Sequence, residues 1–195
     1  MSKILLLNAS PYGDRSRGHA LAMEVCSTLL ARDPATSLIE RDLGPMSHQP
    51  IIRDYADAII GRQDHGVPAF TLSESLIREL EDSDHLIITT PMHNFTVPAA
   101  LKLWIDYVLR HGRTFGNRDG VKFGLLQDRP TLVIVTSGGA VAQPGALQPD
   151  HLTDYLRDVL ATLGISNVRF VYIEGPADEA MTAARRVIQG DPVFR

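Results

Sequence analysis

Cysteine is almost missing from this 195-residue chain. Cys26 stands alone, so no internal disulfide can form, and a reducing compartment, the cytoplasm, is the expected setting. Blocks of one charge are missing too. The 19 Lys and Arg residues are outnumbered by 23 Asp and Glu, the net charge is −4, and the cations nowhere cluster. Nucleic acid and anionic membranes are therefore not expected as partners. The run Ile4-Leu5-Leu6-Leu7 is too short for a signal peptide or a membrane span. His48, His65, His111 and His151 lack paired metal-ligand spacing, and no second cysteine joins them, so no metal site is expected. A G-x-G-x-x-G motif is absent, which argues against a dinucleotide fingerprint. Gly13 and Gly18 have Walker A spacing, but His19 and Ala20 replace the lysine and hydroxyl that a nucleoside triphosphate and its magnesium require.

What is present is ordinary globular composition, 44% hydrophobic and 22% charged, on a length that suits one domain spanning residues 1–195. Five short apolar runs read as buried strands: Lys3–Asn8, Ser37–Arg41, Leu86–Thr90, Thr131–Ser137 and Val168–Ile173. Helical periodicity fills Gly18–Leu30, Leu72–Leu80, Ala99–Arg110, Thr153–Leu163 and Asp178–Ile188. In the third of these, Leu101, Ile105 and Val108 share one side, and Lys102, Asp106 and Arg110 the other. Strand–helix alternation with near-continuous apolar strands predicts a parallel sheet covered on both faces. Three segments, Leu43–Pro50, Gly61–Phe70 and Arg113–Arg129, read as long loops.

Three strand exits carry the chemistry. After the first strand, Ser10 leads to Ser16, Arg17 and Gly18, where Ser16 is a natural N-cap. Hydroxyls, an arginine and free helix N–H groups suit a phosphate. After the third strand comes Pro91-Met92-His93-Asn94-Phe95-Thr96-Val97-Pro98, with a short amide at Asn94 and a proline suited to a helix start. After the fourth, Thr136-Ser137-Gly138-Gly139 lets backbone approach a flat ligand. Each turn taken alone also reads as a plain cap or a glycine turn. Their common position decides between the readings. In a flavodoxin-like five-stranded parallel sheet of order 2-1-3-4-5, a three-layer α/β sandwich, all three turns flank the switch point where ligands bind. A phosphate, then a flat heterocycle touched by backbone and amide groups, describes flavin mononucleotide (FMN).

The sequence resembles the FMN-dependent NADH azoreductases, also described as NADH:quinone oxidoreductases. The resemblance runs nearly end to end. It is carried by Pro91–Phe95 with Pro98-x-x-Leu101-Lys102-x-x-x-Asp106, by Gly112-Arg113-Thr114-Phe115, by Thr136–Gly139, and by Leu163-Gly164-Ile165 with Val168-x-Phe170-Val171. It implies FMN contacts at Ser10, Ser16, Arg17, Gly18, Met92, His93, Asn94, Phe95, Thr136, Ser137, Gly138 and Gly139. Three positions depart from the family: His93 for a frequent tyrosine, Gly18 for a common serine, and Ser137 for a frequent arginine. The resemblance further implies a homodimer and a ping-pong cycle, in which NADH or NADPH gives hydride to flavin N5 and a quinone or azo substrate then takes it up. No obligate catalytic side chain is assigned. Phe70, Phe115 and Phe123 are expected to wall the substrate slot, with Arg62, Arg113 and Arg118 attracting charged groups. Trp104 and Tyr107 lie off the Leu101/Ile105/Val108 stripe and hint at a covered dimer face. A flavodoxin-type electron carrier is the alternative class.

Overall fold

The computed structural model describes residues 2–143, 145–175 and 177–195. Seven strands and six α-helices run in the order β1 (Lys3–Asn8), α1 (Arg17–Arg32), β2 (Ser37–Asp42), α2 (Arg53–Ile60), α3 (Thr71–Glu81), β3 (His85–Pro91), α4 (Ala99–Val108), β4 (Phe115–Arg118), β5 (Val121–Gly124), β6 (Thr131–Ser137), α5 (Thr153–Leu163), β7 (Val168–Glu174) and α6 (Ala177–Gln189). Five strands form one parallel sheet in the order β2-β1-β3-β6-β7. Counting the strands of that sheet alone, this is the expected order. The chain turns back between β1 and β3, and the carboxyl ends of these two strands are the switch point at which sheets of this kind bind ligands.

Alternation along each strand feeds two cores. Leu5, Leu7, Leu86, Ile88, Val133 and Val135 pack against α2, α3, α4 and α5. Ile4, Leu6, Ile87, Leu132, Ile134, Val171 and Ile173 pack against α1 and α6. Both sets are apolar, which is why the central strands read as continuous hydrophobic runs.

Two elements depart from expectation. Residues 53–60 form a short helix, α2, that buries only Tyr55 and Ala58; two apolar anchors in eight residues give too weak a period to read. Within the Arg113–Arg129 segment, β4 and β5 pair antiparallel around Asp119-Gly120, with φ of 54° and 83°. An Asp-Gly pair between short strands is a strong hairpin signal, because both residues accept positive φ. The hairpin is anchored by close backbone contact between Gly124 and Gly164, where Gly164 ends α5 at φ 103°. Among the described residues no helix is long and apolar enough to cross a membrane, and no group of side chains has metal-binding arrangement.

Candidate functional site

The β1 exit is organised by short polar bonds. Asn8 Oδ1 accepts from the Ser10 N–H at 3.1 Å, and Ser10 Oγ accepts from the Tyr12 N–H at 3.2 Å. A single 3-10 turn, Gly13–Arg15, then delivers Ser16 in extended conformation. Ser16 caps α1: its Oγ accepts from His19 N–H at 3.1 Å, and its carbonyl accepts from Ala20 N–H at 3.0 Å. The N–H groups of Arg17 and Gly18 make no hydrogen bond among the described residues. They are the orphan donors that every helix start presents. Arg17 is half-buried, and its one polar contact is a 3.4 Å bond from Nη1 to the Gly175 carbonyl.

The β3 exit is a tight reversal. His93 and Thr96 exchange backbone bonds of 2.9 and 3.0 Å. Between them Asn94 and Phe95 take φ of 47° and 72°. Two positive φ values make this a type I′ turn. Asn94 suits that conformation; Phe95 does not, and a bulky residue held there costs about 1–3 kcal/mol. The loop before α5 holds it: His151 N–H donates to the Phe95 carbonyl at 2.9 Å. The strain leaves His93, Asn94 and Phe95 exposed side by side, with Met92 half-buried beneath.

The β6 exit joins the other two. Met92 N–H donates to the Thr136 carbonyl at 2.9 Å. A Cβ built on Gly18 would lie 2.2 Å from Thr89 Oγ1 and 3.3 Å from Thr136 Cγ2, so the first turn of α1 rests on the ends of β3 and β6. This explains glycine at position 18: no side chain fits. Thr136 is half-buried, Ser137 is buried, and a Cβ on Gly138 would meet nothing within 4 Å, so that backbone faces open space. Gly139 lies under the Gln148 side chain. Contacts through Met92, Gly18 and Thr136 thus bring the three strand exits together at one end of the sheet. Thr89, which the sequence presents as the polar end of an otherwise apolar strand, lies against Gly18 at this junction.

A family model for the flavodoxin-like fold matches residues 2–190. An FMN-dependent NADH:quinone oxidoreductase 4 of Pseudomonas fluorescens is 50% identical over 200 residues, covering 100% of this chain and 97% of the relative. A second relative, FMN-dependent NADH:quinone oxidoreductase 5 of Burkholderia lata, is also 50% identical, over 95% of this chain and 92% of its own. The chain belongs to the flavodoxin-like family of FMN-dependent NADH:quinone oxidoreductases. Among solved structures, an FMN-dependent NADH-azoreductase from Bacillus anthracis in complex with FMN superposes with a TM-score of 0.77 at 22% identity, over 95% of this chain and 99% of that one. An azoreductase from the same organism gives 0.79 at 21%, over 96% of both. At such identities these structures speak for the fold alone.

Phe70 and Arg113, expected at the substrate slot, are engaged inside the fold. Phe70 is 2% exposed, beneath the Arg110 guanidinium at 3.7 Å, so it belongs to the core and not to a substrate wall. Arg113 is spent on Glu74 and Glu81, with bonds of 3.1, 2.5 and 2.8 Å. Phe115, Arg118 and Phe123 sit on the β4–β5 hairpin. Arg62, exposed, lines a separate 590 Å³ hollow with His65, Phe70, Arg110 and His111. Trp104 and Tyr107 are buried within their own chain, so they offer no dimer face. Arg110, expected on a solvated helix side, is buried just past α4. Cys26 is core, and burial, with the Glu40 charge nearby, pushes its thiol up to about 12.

Proposed function

We propose that residues 1–195 act as one FMN-binding unit that oxidises NADH and reduces quinones, with aromatic azo compounds as slower substrates. The observation that carries this is the junction of three turns at the switch point, with two free N–H groups and a capping serine where a phosphate would sit. The residues fit the cofactor. Ser10, Ser16, Arg17 and Gly18 offer hydroxyl, cationic and backbone donors for the phosphate, and the macrodipole of α1 favours its charge. Met92, His93, Asn94 and Phe95 form a rigid, strained ledge for the flat ring. Thr136, Ser137, Gly138 and Gly139 would lie along another edge of the ring, where Gly138 leaves room for close approach of the backbone and the Gly139 N–H is held by Ser137 Oγ at 3.4 Å. Donors aimed at the ring's pyrimidine side would stabilise negative charge there. When bound, FMN supplies the hydride chemistry; the chain supplies position, donors and exclusion of water.

The protein is proposed to work in the cytoplasm as a homodimer. Ile51, Ile52, Ile59 and Ile60 stand exposed around α2, Ile60 at 80%, and such a patch suits a second copy. The deciding measurement is steady-state NADH oxidation with menadione, with and without added FMN, beside methyl red under the same conditions. Turnover should require FMN, and kcat/KM should be higher for menadione. Absence of menadione-dependent NADH oxidation by the flavin-loaded protein would overturn the assignment. A wide advantage for the dye would replace it with a dedicated azoreductase.

A further inference from the structure

The contact that forces glycine at position 18 also identifies what occupies the space. Thr89 Oγ1 lies 2.2 Å from where a Cβ at 18 would be. Thr89 stands on the α1 face of β3, in step with Ile87, and is 1% exposed. Its neighbour Thr90, on the other face, turns its hydroxyl back to the Pro91 carbonyl at 3.0 Å. No hydrogen bond among the described residues uses Thr89 Oγ1. It is also not one of the fully enclosed orphans among the described residues, which are His85 Nδ1 and Trp104 Nε1. The little surface that Thr89 keeps therefore includes its hydroxyl.

Helical Cβ atoms tilt toward the helix N-terminus. A group that fills the Cβ position of Gly18 thus lies on the side where the N–H groups of Arg17 and Gly18 open. A buried hydroxyl without a protein partner at that spot is costly unless a ligand engages it. We propose that Thr89 is a further cofactor-binding residue, whose hydroxyl donates to the phosphate monoester of FMN from beneath the first turn of α1. It delivers from the sheet the hydroxyl that a serine at position 18 would deliver from the helix. The inference rests on the FMN reading above.

The test compares two flavins on protein stripped of cofactor, since riboflavin has the ring but no phosphate. Dissociation constants come from quenching of flavin fluorescence. Thr89→Val keeps the shape of the side chain and removes the hydroxyl. It should weaken FMN about tenfold, which corresponds to about 1.4 kcal/mol, leave riboflavin affinity unchanged, and not lower the thermal midpoint of the stripped protein. Thr89→Ser should restore FMN binding. Gly18→Ser alone should lose FMN through the collision, and Gly18→Ser combined with Thr89→Ala should regain it, because one hydroxyl then fills one space. Unchanged FMN affinity in Thr89→Val would overturn the proposal. So would an equal loss for both flavins, or a double variant no better than Gly18→Ser. Failure of the unmodified protein to bind FMN would instead remove the underlying cofactor assignment.

Discussion

Arg17 and Arg110 each stand at the end of a helix, yet they are used in opposite ways. Arg17 opens α1 with one long contact to a carbonyl and free N–H groups beside it. Arg110 follows α4, and three of its five N–H donors are taken by protein groups: Ser73 at 3.1 Å, Glu74 at 2.6 Å and His65 at 2.8 Å, with Phe70 stacked on the guanidinium. Arg113 adds further bonds to Glu74 and Glu81. The first region presents charge and donors with little to satisfy them. The second is closed on itself. An arginine engaged by protein groups holds the fold, whereas one left with most of its donors open is available to a ligand. The same distinction separates the strand-exit junction from the 590 Å³ hollow, whose buried cation is already neutralised by Glu74.

The sharpest way to break this comparison is to remove each arginine cluster's key group. Arg110→Ala would leave Glu74 with half of its charge compensation in a buried setting. Breaking such a pair costs about 3–5 kcal/mol, the largest effect expected here. Urea unfolding should show that loss, with FMN affinity of the folded fraction unchanged. If FMN binding fell and stability did not, Arg110 would belong to the functional region instead. Ser16→Ala should behave in the reverse manner. Loss of the cap costs about 1 kcal/mol of stability, and FMN should bind about tenfold more weakly by fluorescence titration. An unaltered dissociation constant would mean that the α1 turn does not hold the phosphate.

The strand order, five helices and the gathering of the three turns were legible because each rests on local pattern: apolar runs, N-cap chemistry, glycine pairs. The fate of individual charges was not. Arg110 and Arg62 look alike in sequence, and only tertiary packing sends one beneath α3 and leaves the other in solvent. Phe70 and Phe123 divide in the same way, into core and hairpin. Tertiary closure also hid Thr89, since its proximity to Gly18 depends on how far α1 descends onto the sheet. The β4–β5 hairpin differs from these cases. Asp119-Gly120 announced it locally, and the segment's length and charge obscured the signal.

The smallest expected effect concerns a third kind of placement, a titratable group that is neither saturated nor presented to a ligand. His85 opens β3 with Nδ1 buried and unpartnered among the described residues, its ring edge-on to Phe194 at 6.3 Å. Burial holds its pKa below the ordinary 6.5, with the charge of Asp84 working the other way. The neutral ring is therefore the form that fits the fold. Between the depressed folded value and 6.5 the unfolded chain binds more protons, so stability rises with pH across that window. It is fully present above 6.5 and lost as pH falls through the folded value. His85→Leu removes the titration and leaves an apolar group beside Phe194. The thermal midpoint of this variant should fall less between pH 7 and pH 5 than that of the unmodified protein. The Ser16 variant, which leaves His85 in place, should keep the original slope. Parallel pH profiles for His85→Leu and the unmodified chain would assign the acid sensitivity to other groups.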